Sequence, residues 1–67
     1  MRKKFYLRKA VDHYTEGIAA ESGDTKLNSV LYGNRAQAEL RLGNNRNALR
    51  DSLRAVQLDP DNMKVQH

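Results

Sequence analysis

Apolar and small residues recur at three- and four-residue spacing along most of the chain, and the breaks in that rhythm divide it into helices. Ala10, Val11, Tyr14, Gly17 and Ile18 keep the spacing through the first segment, so an amphipathic helix is expected over residues 6–21. Ser22-Gly23-Asp24 interrupts it. Gly23 suits a left-handed residue after a helix end, and Asp24 or Thr25 offers a side-chain oxygen to cap the next helix. This second helix is expected from Thr25 to Leu42, with Gly43 as its stop. Its apolar and small residues fall in two stripes, Leu27, Leu31, Ala38 and Leu42 on one side and Val30, Gly33, Ala36 and Leu40 on the other. A helix packed between two neighbours satisfies that pattern. Gly33 inside it costs about 1 kcal/mol relative to alanine, which close approach by another helix or by a ligand's backbone would offset. The third helix, Asn45 to Leu58, turns Ala48, Leu49, Ser52, Ala55 and Val56 inward and stops before Asp59-Pro60. Pro60 suits the first turn of a further helix with Asp59 as its cap, so residues 60–67 are expected to open a fourth.

The pattern repeats internally. A shift of 38 residues lays Ala10 on Ala48, Val11 on Leu49, Tyr14 on Ser52, Gly17 on Ala55 and Ile18 on Val56. That is a helical-hairpin repeat of about 34 residues plus a short surplus, which falls between Ser22 and Asn28. Tyr32, Ala36, Gly43, Ala48, Ala55 and Pro60 stand at the spacing of the tetratricopeptide repeat, and the whole chain resembles that family. The resemblance implies an all-α fold of antiparallel helical hairpins in a right-handed solenoid. It amounts to about one and a half repeats: residues 6–21 as the second helix of a truncated repeat, 25–58 as one complete repeat and 60–67 as the start of another. Small residues at Ala36, Ala48 and Ala55 let helices approach closely, while Tyr32 fills the gap between them. Asn45 stands where an aromatic is common and Glu39 where a tyrosine is common, so looser packing is expected there.

Within the family, Tyr32-Gly33-Asn34-Arg35-Ala36 is similar to the segment used by carboxylate-clamp co-chaperones, which bind acidic C-terminal tails of heat-shock protein 90 and heat-shock protein 70. The longer run from Leu27 to Asn44 resembles the co-chaperones that carry such repeats ahead of a C-terminal wheel domain. The clamp meets a terminal carboxylate and an aspartate with charged and amide donors that replace lost water. By that resemblance Asn34 is the central clamp asparagine, Lys64 a clamp lysine and Arg41 an auxiliary basic group on the concave face. The family's remaining lysine and asparagine come from a helix preceding Met1, and its arginine falls one position past His67. At about 1.5–3 kcal/mol for each charge-assisted bond, the three missing groups imply at least a thousandfold loss, to order of magnitude.

Composition narrows the alternatives. With 67 residues, 39% hydrophobic and 30% charged, the chain buries little core and is one small domain or part of one. It has no cysteine, so neither disulfides nor thiolate metal sites support it. No run approaches the ~20 apolar residues that span a bilayer, and no apolar stretch follows Arg2-Lys3-Lys4 as in a signal peptide; a soluble protein of the cytoplasm, or of the nucleus, is expected. The net charge of +4 permits an acidic partner without choosing one. Arg2, Lys3, Lys4, Arg8 and Lys9 could contact phosphate, but a solvated helix end is the preferred reading over nucleic-acid binding. His13, beside Asp12 and near Glu16, reads as surface decoration rather than a metal site. No phosphate-binding glycine motif and no nucleophile–base pair occurs, so neither catalytic residues nor a cofactor is expected. Recognition of an acidic C-terminal peptide is the leading functional expectation. The alternative is a truncated scaffold whose open end faces are buried by self-association or on a partner helix, because terminal repeats of such arrays need caps.

Overall fold

Asp24 starts the central helix. Its backbone is extended (φ −86°, ψ 101°), and its side chain accepts the Leu27 N–H at 3.0 Å, which satisfies one of the donors that a helix leaves unpaired at its start. The computed structural model describes residues 2–20 and 23–61. Among them are three helices, α1 (Arg2–Ala19), α2 (Thr25–Leu42) and α3 (Asn45–Leu58), and no strand. The ranges of α2 and α3 coincide with those expected from the apolar rhythm. Helix α1 begins four residues earlier than expected, because the basic run Arg2-Lys3-Lys4 is helical although it lacks apolar periodicity. Pro60 and Asp61 form a short 3₁₀ turn in which the Asp61 N–H donates to Asp59 Oδ1 at 3.2 Å. The rest of the fourth helix expected over 60–67 lies outside the described residues.

Helix α2 ends as its glycine requires. Gly43 adopts the left-handed conformation (φ 88°), its N–H reaches the Leu40 carbonyl at 3.0 Å, and the Asn44 N–H reaches the Glu39 carbonyl at 2.8 Å. This paired closure satisfies carbonyls that the helix end would leave bare. The chain then reverses into α3 within two residues, so α2 and α3 form an antiparallel hairpin. On its other side α2 packs on α1, and among the described residues the backbones of α1 and α3 do not come close to each other. The arrangement accounts for part of the two-striped pattern of α2: Leu31, Ala36, Ala38 and Leu42 are buried or half-buried, whereas Leu27, Val30 and Leu40 remain exposed.

The core is built from small residues. Ala36, Ala38, Ala48 and Ala55 are its buried apolar side chains among the described residues, and close helix approach replaces bulk. Gly17 of α1 shows how close: a Cβ there would stand 3.0 Å from Cδ1 of Leu31. At the α2–α3 crossing the buried Ser29 hydroxyl donates to the Ala55 carbonyl at 2.7 Å. That same carbonyl accepts the Asp59 N–H at 3.0 Å, so one oxygen joins the hairpin and closes α3.

Polar groups supply what the alanines lack. Arg35 donates from Nε to Asp51 Oδ2 at 2.7 Å and from Nη2 to Oδ1 at 2.8 Å, and its Nη1 reaches Thr15 Oγ1 at 3.0 Å. One guanidinium therefore ties all three helices together. It also lies over the Tyr32 ring, 5.3 Å from the centroid. Glu39, expected to loosen the packing, is instead buried next to this pair, with 6% of its surface exposed and Oε1 lacking a hydrogen-bond partner. Burial, and then the neighbouring Asp51 carboxylate, push its carboxyl up to about 7. Burial acts most strongly on Asp51 and raises it, but the hydrogen bonds from Arg35 and Glu39 and the charges of Arg35 and Arg50 together outweigh it and hold that carboxyl below its ordinary range.

These opposite shifts give the fold a pH window. The contribution of Asp51 is present above its ordinary value of 3.8 and is lost as pH falls below it. That of Glu39 is full below 4.5 and is lost as pH rises through about 7, where a buried carboxylate must form. Thermal unfolding followed by circular dichroism should show the midpoint falling between about pH 5 and pH 8. Glu39→Gln, which cannot ionise, should hold a flat midpoint over the same range. An equal decline in both proteins would show that Glu39 does not carry the dependence.

Candidate peptide-binding face

The side of α2 turned away from its buried residues carries Asn34, Gln37 and Arg41, all exposed. Spacings of three, four and seven residues place them on one stripe, with Asn34 and Arg41 about 10 Å apart along the axis at ~1.5 Å per residue. Neither Asn34 nor Arg41 is hydrogen-bonded or ion-paired through its side chain to a described residue. Their donors are available to a ligand.

Two grooves flank the stripe. On the α1 side, Leu7, Ala10 and Tyr14 join Asn34, Gln37, Ala38 and Arg41 around a space of about 180 Å³. On the α3 side, a groove of about 350 Å³ runs between the helices, with Val30, Gly33, Leu40 and Leu49 along its walls and Ala48 and Ala55 in its floor. Gly33 belongs to this wall. Asn34 and Gln37 line both grooves, so the polar stripe is the ridge between them. Asn45, the other position expected to pack loosely, is exposed at the mouth of the second groove.

Of the three residues singled out from the sequence, the fold brings Asn34 and Arg41 to a common groove. Lys64 lies outside the described residues. Gln37 and Tyr14 are additions from the structure, although Gln37 sits one turn from each of the other two and the spacing alone is enough to find it. Tyr14 escapes that rule, because it arrives from another helix. His13, Asp12 and Glu16 are exposed on α1, and no group of three metal-ligating side chains occurs among the described residues.

No family model matches the chain, and no solved structure matches it. Curated sequences do. Over 58 residues the chain is 49% identical to tetratricopeptide repeat protein 4 of Homo sapiens, a match covering 87% of this chain and 15% of that protein. It is 41% identical over 51 residues to the Hsp70/Hsp90 co-chaperone CNS1 of Saccharomyces cerevisiae, covering 76% and 13% respectively. It is 38% identical over 63 residues to the Drosophila melanogaster protein named "DNA polymerase interacting tetratricopeptide repeat-containing, protein of 47 kDa", covering 94% and 15%. The chain thus spans about one-seventh of the length of the relatives it matches. A segment that keeps the repeat's spacing, folds as its hairpin and shares close to half its residues with a protein named for it belongs to the tetratricopeptide-repeat family and resembles its co-chaperone members.

Proposed function

We propose that the chain is a protein-interaction module, without catalysis, whose α2 ridge receives the acidic C-terminal tail of heat-shock protein 90 or heat-shock protein 70. The observation that carries this reading is the exposed stripe Asn34–Gln37–Arg41, set between two grooves and free of side-chain partners among the described residues. Asn34 supplies an amide donor to the peptide's terminal carboxylate or backbone. Arg41 supplies a charge-assisted bond to an acidic side chain, and Lys64 a further cation. The likeness to a yeast protein named as an Hsp70/Hsp90 co-chaperone supports the choice of partner. Cytoplasm or nucleus is the place of action that goes with it.

A different observation favours a second reading. Leu40 is 61% exposed on the wall of the α2–α3 groove, beside Val30 and Leu49, and a groove with an alanine floor fits an apolar helix. In that reading the chain is chiefly a scaffold that buries this groove on a partner helix or a second copy.

A peptide ending in Glu-Glu-Val-Asp with a free carboxylate, titrated against the ¹⁵N-labelled chain, should perturb the amides of Asn34, Gln37 and Arg41. Asn34→Ala should weaken binding about tenfold, the equivalent of ~1.4 kcal/mol, and amidating the peptide's C-terminus should do at least as much. No response on this stripe at saturating peptide removes the clamp reading. For the scaffold reading, sedimentation should show concentration-dependent association that Leu40→Glu abolishes; a monomer at every concentration counts against it.

A further inference from the structure

The outer face of α3 presents a second surface, which shares Leu49 with the α2–α3 groove and otherwise lies apart from the α2 ridge. Arg46, Arg50 and Arg54 recur every four residues, about 6 Å apart along the axis at ~1.5 Å per residue. Leu49 and Leu53 form a parallel row, and together with Gln57 these side chains line an open groove of about 400 Å³. The leucines are 62% and 56% exposed. Single exposed leucines are ordinary, but two in register beside three guanidiniums make a patch.

No carboxylate closes on that patch among the described residues, although Arg50 is near enough to Asp51 and Glu39 for their charges to interact. None of the three arginines is ion-paired to a described residue: Arg50 donates to Asn47 Oδ1 at 3.2 Å and Arg54 to Gln57 Oε1 at 3.3 Å, both neutral and exposed amides. The acidic residue within α3, Asp51, is buried and held by Arg35 through two hydrogen bonds, so its carboxylate is not on the outer face. Planar guanidiniums pair well with carboxylates, in two parallel hydrogen bonds. The leucine row calls for apolar side chains at the same helical spacing.

We propose that this face of α3 docks an acidic amphipathic helix of a partner protein, which lays two apolar side chains over Leu49 and Leu53 and sets carboxylates against Arg46, Arg50 and Arg54. Such a partner differs from a C-terminal tail in two respects. Its charges are internal, and it binds as a helix with its apolar anchors one turn apart. A bare polyanion would engage the arginines but leave the leucines wet.

The probe is a short synthetic helix with Glu every four residues and Leu in the adjoining row, titrated against the ¹⁵N-labelled chain. Perturbations should be confined to residues 46–57. Arg46→Glu combined with Arg54→Glu, and separately Leu53→Ser, should each weaken binding at least about tenfold. Both variants alter exposed side chains, and Arg46→Gln with Arg54→Gln provides a gentler pair with the same expected direction should charge reversal disturb helicity. A Glu-Glu-Val-Asp peptide should not displace the probe, which separates this surface from the ridge on α2. The proposal is overturned if the variants bind as the parent does or if the perturbed amides cluster at residues 30–41. Equally tight binding by duplex DNA, or by a probe with Ser in place of Leu, would overturn it by showing a surface selected by charge alone.

Discussion

Arg35 and Asp51 hold this structure in register. The apolar core is mostly alanine, and burying an alanine methyl stabilises far less than burying a leucine or phenylalanine side chain. A chain of this length therefore leans on directional contacts. The two parallel hydrogen bonds from Arg35 to Asp51 join α2 to α3, and the third, to Thr15, brings in α1. A bidentate pair constrains orientation as well as distance, which close-packed small residues do not do by themselves. The pair also carries a liability, because taking charges out of water is expensive and losing one partner strands the other. Glu39 adds to that liability as its carboxyl ionises.

This central bonding leaves the outer side of α2 free for other work. Its lateral stripes meet α1 and α3, and its remaining stripe becomes a polar ridge between two grooves. Asn34 and Arg35 illustrate the division, since adjacent residues on a helix point about 100° apart. One faces outward with no side-chain partner among the described residues, and the other turns into the core. The same economy explains the α2–α3 groove. Ala48 and Ala55 allow close approach from one side and leave Val30, Leu40 and Leu49 around an open groove. A surface of this kind stacks with further helices or accepts a partner, which is how proteins built of such repeats assemble.

Much of the backbone is legible without coordinates. The Gly43 reversal and the Ala36, Ala48 and Ala55 spacing each rest on a local rule that neighbours do not override and are found where expected, and of the two caps that the sequence allows, Asp24 and Thr25, the structure uses Asp24. Periodicity misplaces the start of α1 because a basic run carries no apolar rhythm, yet it continues a helix already formed. The polar core is not legible. Arg35 and Asp51 are 16 residues apart, and periodicity reports which face a residue occupies without naming the side chain opposite. For the same reason Glu39 reads as a packing defect in the sequence when it is part of a buried charged cluster. At the site, Asn34 and Arg41 share a ridge that their spacing predicts, whereas the contribution of Tyr14 depends on how α1 crosses α2.

Comparing the thermal unfolding of Asn34→Ala and Arg35→Ala tests the central claim most directly, because it sets two neighbouring residues against each other. The account predicts that Asn34→Ala melts within a few degrees of the parent, while Arg35→Ala, by stranding Asp51 in the core, loses about 3–5 kcal/mol. That loss corresponds to a midpoint lower by well over ~10 °C for a domain of this size. Equal midpoints for the two variants, or a larger loss for Asn34→Ala, would contradict the division between an inward tie and an outward ridge.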